Sequence, residues 1–417
     1  MSKRAVESCR NGSLIQFINC RILYRGAIVL DDLWVRDGKI CNPEQIFFDE
    51  KVQADLKIDC KNLIISPGFI DVQINGGFGH DFSSNVEKLD GALKYVAKGI
   101  LAHGVTSFCP TIVTSPSEVY KKALPKISAK QGGSHGAEII GAHIEGPFIN
   151  AEKKGAHNPE YITVPTKDAV RGVTEIYGSL DNAAMVTIAP EIDGALEAIP
   201  HFVRNNVIVS IGHSNANLLE GEEAVRRGAT FITHLFNAMA PFHHRDPGLI
   251  GVLTSNVIPK YAFYGIIADG IHTHPTALRI AYRAHPKGLV LVTDAIAAMG
   301  LPPGEHLLGT MKVNIEKNRA TLVGTNTLAG SIVTMKECLR HFRKAAGCST
   351  VEALEAATLH PAQLLGIENK KGTLEFYSDA DFVIIDDEFN IHATFISGQP
   401  VYIYENGYMN HVADICI

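Results

Sequence analysis

The chain has 417 residues and a formal net charge of −6, with 38 Lys and Arg against 44 Asp and Glu. That balance excludes the broad basic face that nucleic-acid binding needs, and no apolar run reaches the ~18 residues of a membrane-spanning helix. Hydrophobic residues at 46% and charged residues at 20% exclude a collagenous or disordered chain, and the length suits two or three domains or one large barrel with an accessory unit.

From the start, residues 14–65 read as strands. LIQFINCRIL, AIVLDDLWVRDGKI and ADLKIDCKNLII are β-rich runs broken by turn residues. The tail from about residue 372 has the same texture, in DADFVIIDDEFN, IHATFISGQPV and VYIYENGYM. Each end is too short to bury a good core alone, so the two are expected to pair into one small β-domain. Between them, apolar β-branched runs alternate with helical segments. The runs are 68–74, 105–112, 138–146, 184–191, 207–213, 230–236, 263–270 and 289–295. The helical segments include 87–102, 116–127, 193–204, 216–227 and 275–286, and SIVTMKECLRHFRKA, with Ser331 as its N-cap, opens another. Eight such units match a (β/α)8 barrel. An open doubly wound sheet is the rival, but its GxGxxG turn after the first strand is missing, although GGFG stands at 76–79. The predicted division is a β-sandwich from 1–66 plus 372–417 and a TIM barrel over 67–371.

The eight cysteines are scattered without a CxxC pair, and the first twenty residues lack the apolar stretch of a signal peptide. Both point to a reduced, cytoplasmic setting. The 18 histidines raise the prior for metal or acid–base chemistry. Polar residues stop the predicted strands: His143 and Glu145 after strand three, His213 after five, His234 and Asn237 after six, Asp269 and His272 after seven, Asp294 after eight. In a barrel these ends line the mouth where active sites form. A catalytic zinc takes about three protein ligands and leaves a position open. Glu145, His213 and His234 supply that set. Asp294 is the candidate base that passes a proton from water to the leaving group, and His272 can donate to a carbonyl oxygen as charge develops. Arg245, with His243 and His244 in HHRDPG, suits an anionic group such as phosphate. The loops NGGFG (75–79), GPF (146–148) and TLAGS (327–331) offer close backbone approach, with Ala329, Gly330 and Ser331 placed before a helix.

These residues sit in motifs that run over nearly the whole chain: PGFIDVQINGGFG (67–79), GAHIEGPF (141–148), GAHNP (155–159), IGHS (211–214), THLFNAM (233–239), HHRDPG (243–248), IADGIHTH (267–274), LVTDA (291–295), LAGS (328–331) and HPAQLLG (360–366). In them the chain resembles the N-acetylglucosamine-6-phosphate deacetylases of the amidohydrolase superfamily, in the wording of the animal members. The resemblance implies hydrolysis of an N-acetyl group to give glucosamine 6-phosphate and acetate, on a metal-dependent barrel with a β-sandwich built from both termini. It implies Glu145, His213 and His234 as metal ligands, Asp294 as catalytic acid/base and His272 on the acetyl carbonyl. It places Ala156, His157, Asn237, Ala238, Arg245, Asp269, Leu328, Ala329 and Gly330 around the sugar phosphate. It also implies a homodimer in which Arg245 reaches the neighbouring site.

One departure concerns the HxH triplet that many amidohydrolases carry after strand one for a second metal. Here it is Gln73-Ile74-Asn75. Neutral amides are poor zinc ligands, which predicts one divalent ion per subunit: zinc by preference, with cobalt, iron or manganese compatible. The same absence weighs against a cyclic amidase or deaminase. A catalytically dead barrel serving as a binding protein would be expected to lose one of Glu145, His213, His234 and Asp294, and all are present.

Overall fold

The structure is a computed structural model and describes residues 12–165, 168–258, 262–308 and 311–404. The outermost parts of both β-rich ends, with Cys9 and Cys416, lie outside the described residues. Eight parallel strands form the barrel, numbered one to eight: Phe69–Ile74, Val105–Val113, Ala142–Glu145, Ala183–Ile188, Ile208–Ile211, Ala229–Ile232, Phe263–Ile267 and Leu289–Val292. They pair in sequence order from one to eight. Strand eight meets strand one where Asp294 N–H donates to the Gln73 carbonyl at 2.8 Å and Thr293 Oγ1 donates to Asp71 at 2.6 Å. The strands are apolar on both faces because the barrel interior takes one face and the outer helices the other. Strand eight, Leu289–Val292, is buried at every position.

The expected helices appear at Leu89–Gly99, Ser117–Ala123, Ala195–Arg204, Leu218–Arg226 and Pro275–Ala284. A further one, Ala169–Tyr177, precedes strand four. Its Gly172, Val173 and Thr174 are weak helix formers, and packing of Ala169, Val173 and Tyr177 into the core supplies what propensity lacks.

The two ends of the chain join in one eight-stranded sheet. Its order is Gln399–Ile403, Ile391–Ile396, Phe382–Ile385, Ile64–Pro67, Ile15–Tyr24, Ala27–Arg36 and Lys39–Ile40, with Leu56–Asp59 also paired to Ile15–Tyr24. Phe17 and Phe395 lie three strands apart, about 14 Å in a flat sheet, yet their rings are 5.3 Å apart. The sheet therefore curls over its own core. Strand alternation splits Phe382–Ile385 between two cores. Phe382 and Ile384 face the small one, whereas Val383 and Ile385 face the barrel. Buried Lys371 ties the two bodies together, with Nζ 2.9 Å from Glu138 and in contact with Asp381 and Asp379. Among the described residues, no helix is long and apolar enough to cross a membrane.

Two local expectations need correction. TLAGS is not a helix entry. Leu328–Gly330 is the last strand of a four-stranded antiparallel insert (Gly304–Leu308, Met311–Glu316, Arg319–Leu322, Leu328–Gly330) that follows strand eight. The helix starts four residues after Ser331, at Met335, because Thr334 and Glu337 form a reciprocal capping box. Nor is GGFG a free turn. Gly76–Gly77 pairs with His80–Asp81 around Phe78 and Gly79, both at positive φ, as a two-residue hairpin requires.

Candidate active site

The C-terminal ends of strands three, five and six bring one carboxylate and two imidazoles together. Glu145 Oε1 lies 3.2 Å from both His213 Nε2 and His234 Nε2, and the two nitrogens are 3.0 Å apart. All three residues are buried. His213 and His234 leave their strands at φ of 49° and 26°, a left-handed conformation that costs about 1–3 kcal/mol for a non-glycine residue. Backbone bonds on both sides hold it: Asn150 N–H donates to the His213 carbonyl and Asn237 N–H to the His234 carbonyl, each at 2.9 Å.

The cluster has the chemistry of a divalent-metal site. His213 Nδ1 faces the Lys153 carbonyl at 2.8 Å. A carbonyl only accepts, so Nδ1 carries a proton, and Nε2 is the ring nitrogen turned toward Glu145 and His234 for a cation. Nitrogen and carboxylate oxygen at ~3.2 Å need a positive charge among them, supplied by a proton or by a metal cation. A tetrahedral ion with ~2.1 Å bonds spaces its ligands by about 3.4 Å, close to these separations. Burial alone would push Glu145 up, yet the imidazoles of His213 and His234 beside it hold it below the usual carboxylate range.

Asp294, two residues beyond strand eight, faces the cluster at φ 45°. Its carboxyl is pushed up to about 6, by burial first and by the Glu145 charge second, against the pull of His234 and Asn75. The two amides of the strand-one triplet have definite partners. Gln73 Nε2 donates to Glu145 Oε1 at 2.8 Å, and Asn75 Nδ2 donates to Asp294 Oδ1 at 2.7 Å. Each neutral amide offers N–H to a carboxylate of the site.

A family model for the amidohydrolase family matches residues 64–401. The N-acetylglucosamine-6-phosphate deacetylase of Danio rerio is 56% identical over 398 residues, which cover 95% of this chain and 98% of that one. The enzyme of that name from Homo sapiens is 54% identical, covering 96% and 98%. The chain belongs to this deacetylase family. The crystal structure of the Pasteurella multocida N-acetylglucosamine-6-phosphate deacetylase superposes with a TM-score of 0.82 at 30% identity, covering 94% of this chain and all of that one.

Other residues that the family resemblance singles out divide by location. His157 is buried against the cluster. Its ring centroid is 4.5 Å from that of His213, and its Nε2 is 3.8 Å from Glu145 Oε2. His157 Nδ1 lies 2.7 Å from Thr114 Oγ1 and 3.1 Å from the Thr114 amide nitrogen. Burial pushes His157 down to about 3, which keeps it neutral. Asp269 Oδ2 accepts from His272 Nδ1 at 2.5 Å, and its Oδ1 accepts from the Ile271 and His272 amides at 2.8 Å. Burial would raise this carboxyl, and the His272 bond outweighs it. Asp269 thus supports His272 and leaves the Nε2 of that ring available. Asn237 bonds the His234 and Leu235 carbonyls through its side chain, and the Ala238 carbonyl accepts from Ser214 N–H. Arg245, His243 and His244 are exposed on the turn after strand six, as is Ala156 on its loop. Leu328, Ala329 and Gly330 lie in the strand that ends the insert.

His143 does not join the metal cluster. It is locked in the barrel interior between the Val72 carbonyl (3.0 Å) and Thr187 Oγ1 (2.7 Å), and burial pushes it down to about 4. Two polar residues at strand ends escaped the sequence reading. Thr114 follows strand two, and its hydroxyl donates to the Glu145 carbonyl at 3.2 Å. A Cβ on Gly146, at φ 88°, would fall 2.1 Å from that hydroxyl, so the residue after Glu145 must be glycine. The other is Glu191, beyond strand four. Their position at C-terminal strand ends was the available signal.

Proposed function

We propose that this chain hydrolyses the N-acetyl group of N-acetylglucosamine 6-phosphate to glucosamine 6-phosphate and acetate, as its family relatives are named to do, and that Glu145, His213 and His234 hold one divalent ion, zinc by preference. The observation that carries the reading is the buried carboxylate and two imidazoles facing Asp294 at the barrel mouth. When bound, such an ion lowers the pKa of water and polarises a carbonyl.

The residues of the chain do the rest. Asp294, ionised, accepts a proton from the attacking water as its oxygen bonds to the acetyl carbon. It then returns that proton to the sugar nitrogen as the C–N bond breaks, releasing the amine and acetate. His272, its ring fixed through Nδ1 by Asp269, faces the acetyl oxygen where charge builds. His157, buried beside the cluster, contacts the sugar. Asn237 and Ala238 on the strand-six turn, Ala156, and Leu328–Gly330 shape the sugar site, and Arg245 binds the phosphate. We assign Arg245 to the site of a neighbouring subunit in a homodimer, consistent with its exposed position. Gln73 and Asn75 exclude a second ion by giving N–H groups to the two carboxylates.

Acetate release tests this reading. The metal-loaded protein is expected to turn over N-acetylglucosamine 6-phosphate, to lose activity with a chelator, and to act poorly on the unphosphorylated sugar. No acetate from the loaded protein, or equal turnover of both sugars, overturns it.

A further inference from the structure

We propose that Glu191 is a positioning residue for the metal site. It acts through the 150–153 turn to set the ring of His213, an inference that rests on His213 being a metal ligand. Glu191 follows strand four, between the ends of strands three and five that carry Glu145 and His213. Its carboxylate gathers three donors from the loops on either side. Oε1 accepts from Asn150 Nδ2 at 2.9 Å and from Asn215 N–H at 2.6 Å, and Oε2 accepts from Ser214 Oγ at 2.7 Å. The first partner lies in the loop after Glu145. The other two directly follow His213.

From Asn150 the contacts lead to the metal ligand by two routes. Asn150 N–H donates to the His213 carbonyl at 2.9 Å, bracing the residue held at φ 49°. The Asn150 side-chain oxygen accepts from Glu152 N–H at 2.9 Å and caps the short turn Ala151–Lys153. The carbonyl of the last residue of that turn, Lys153, accepts from His213 Nδ1. Asn215 Nδ2 closes the ring onto Glu152 Oε2 at 2.8 Å. The bond at Nδ1 is what leaves Nε2 bare for a cation, so ring tautomer and ring orientation both depend on where this turn sits. An anionic acceptor between two loops suits the task, because bonds to a charged oxygen are roughly twice as strong as neutral ones.

The experiment compares the zinc-loaded wild type with Glu191→Ala and Asn150→Ala. Readouts are zinc loss to a chelator, the visible spectrum of the cobalt-substituted proteins, and melting of the metal-free proteins. Partners that orient metal-bound histidines typically change affinity by 10–100-fold. Both variants are expected to lose zinc within that range, with a shifted cobalt spectrum. Their kcat should recover with excess metal and their KM should stay unchanged, while the metal-free melting matches wild type. Wild-type zinc retention and spectrum in both variants overturn the proposal. If Glu191→Ala does not fold, Asn150→Ala decides alone by the same two readouts. A wild type that holds no ion sinks the ligand assignment and this inference together, whereas a wild type that holds zinc beside unaffected variants sinks this inference only.

Discussion

Replacing Asp294 by Asn removes the base and leaves nearly everything else in place. The Asn75 amide donates to Asp294 Oδ1 at 2.7 Å, and the amide oxygen of an Asn can accept the same bond. The backbone bond from residue 294 to the Gln73 carbonyl is untouched. The φ of 45° is one that Asn tolerates better than most residues. Folding and metal content should therefore match wild type. Loss of general acid–base catalysis costs about 10²–10⁴-fold, or roughly 3–5 kcal/mol of barrier at 1.36 kcal/mol per decade. With its carboxyl pushed up to about 6, Asp294 is ~90% ionised at pH 7 and ~10% ionised at pH 5. Wild-type kcat should thus fall on the acid side, at pH 6 or below, since a bound cation lowers the value further. The variant should show a small, flat profile over the same range. Steady-state acetate release from pH 4.5 to 8.5, with metal content measured on each sample, tests this. An Asp294→Asn protein that retains its metal and more than ~10% of wild-type kcat refutes the role.

Arg245→Ala should raise KM for the phosphorylated sugar by roughly 10–100-fold, the value of a charged hydrogen bond, with a smaller change in kcat. Its effect on wild-type-like turnover of the unphosphorylated sugar should be slight, and steady-state kinetics on the two sugars reads both. Sedimentation should find a dimer, and a monomer at full activity would remove the neighbouring-subunit role of Arg245. Lys371→Met should destabilise the fold by about 3–5 kcal/mol, because it strands the carboxylates of Asp381 and Glu138 at a largely buried joint. The nearby acids hold the Lys371 pKa above its usual value, so its contribution is complete at neutral pH and is lost only under strongly alkaline conditions. In the variant, lowering the pH through the carboxylate range neutralises the stranded groups and should return part of the loss. Melting curves at pH 7 and pH 4.5 test both statements.

The barrel was legible because its strands are apolar on both faces and end in polar residues. Glu145, His213, His234 and Asp294 could be grouped only after the fold had been inferred, since they lie far apart in sequence. The antiparallel insert was hidden in what read as the tail of the barrel, although Leu308, Val313, Ile315, Ala320 and Ala329 are buried in it. Ser331 looked like a helix cap, but Thr334 with Glu337 three residues later is the stronger capping pair. Gln73 and Asn75 read only as missing ligands. Their amide donors to Glu145 and Asp294 depend on distances that no spacing encodes. Glu191 stayed silent for the same reason, since its partners come from loops 41 residues before it (Asn150) and 23 residues after it (Ser214).

The central claim is that one divalent ion at Glu145, His213 and His234 drives deacetylation of the sugar phosphate. The most direct measurement is acetate release from N-acetylglucosamine 6-phosphate by chelator-stripped protein titrated with zinc. Activity should start near zero, climb in proportion to added zinc, and level off at one ion per chain. A plateau at two ions, or full activity before any zinc is added, would contradict it.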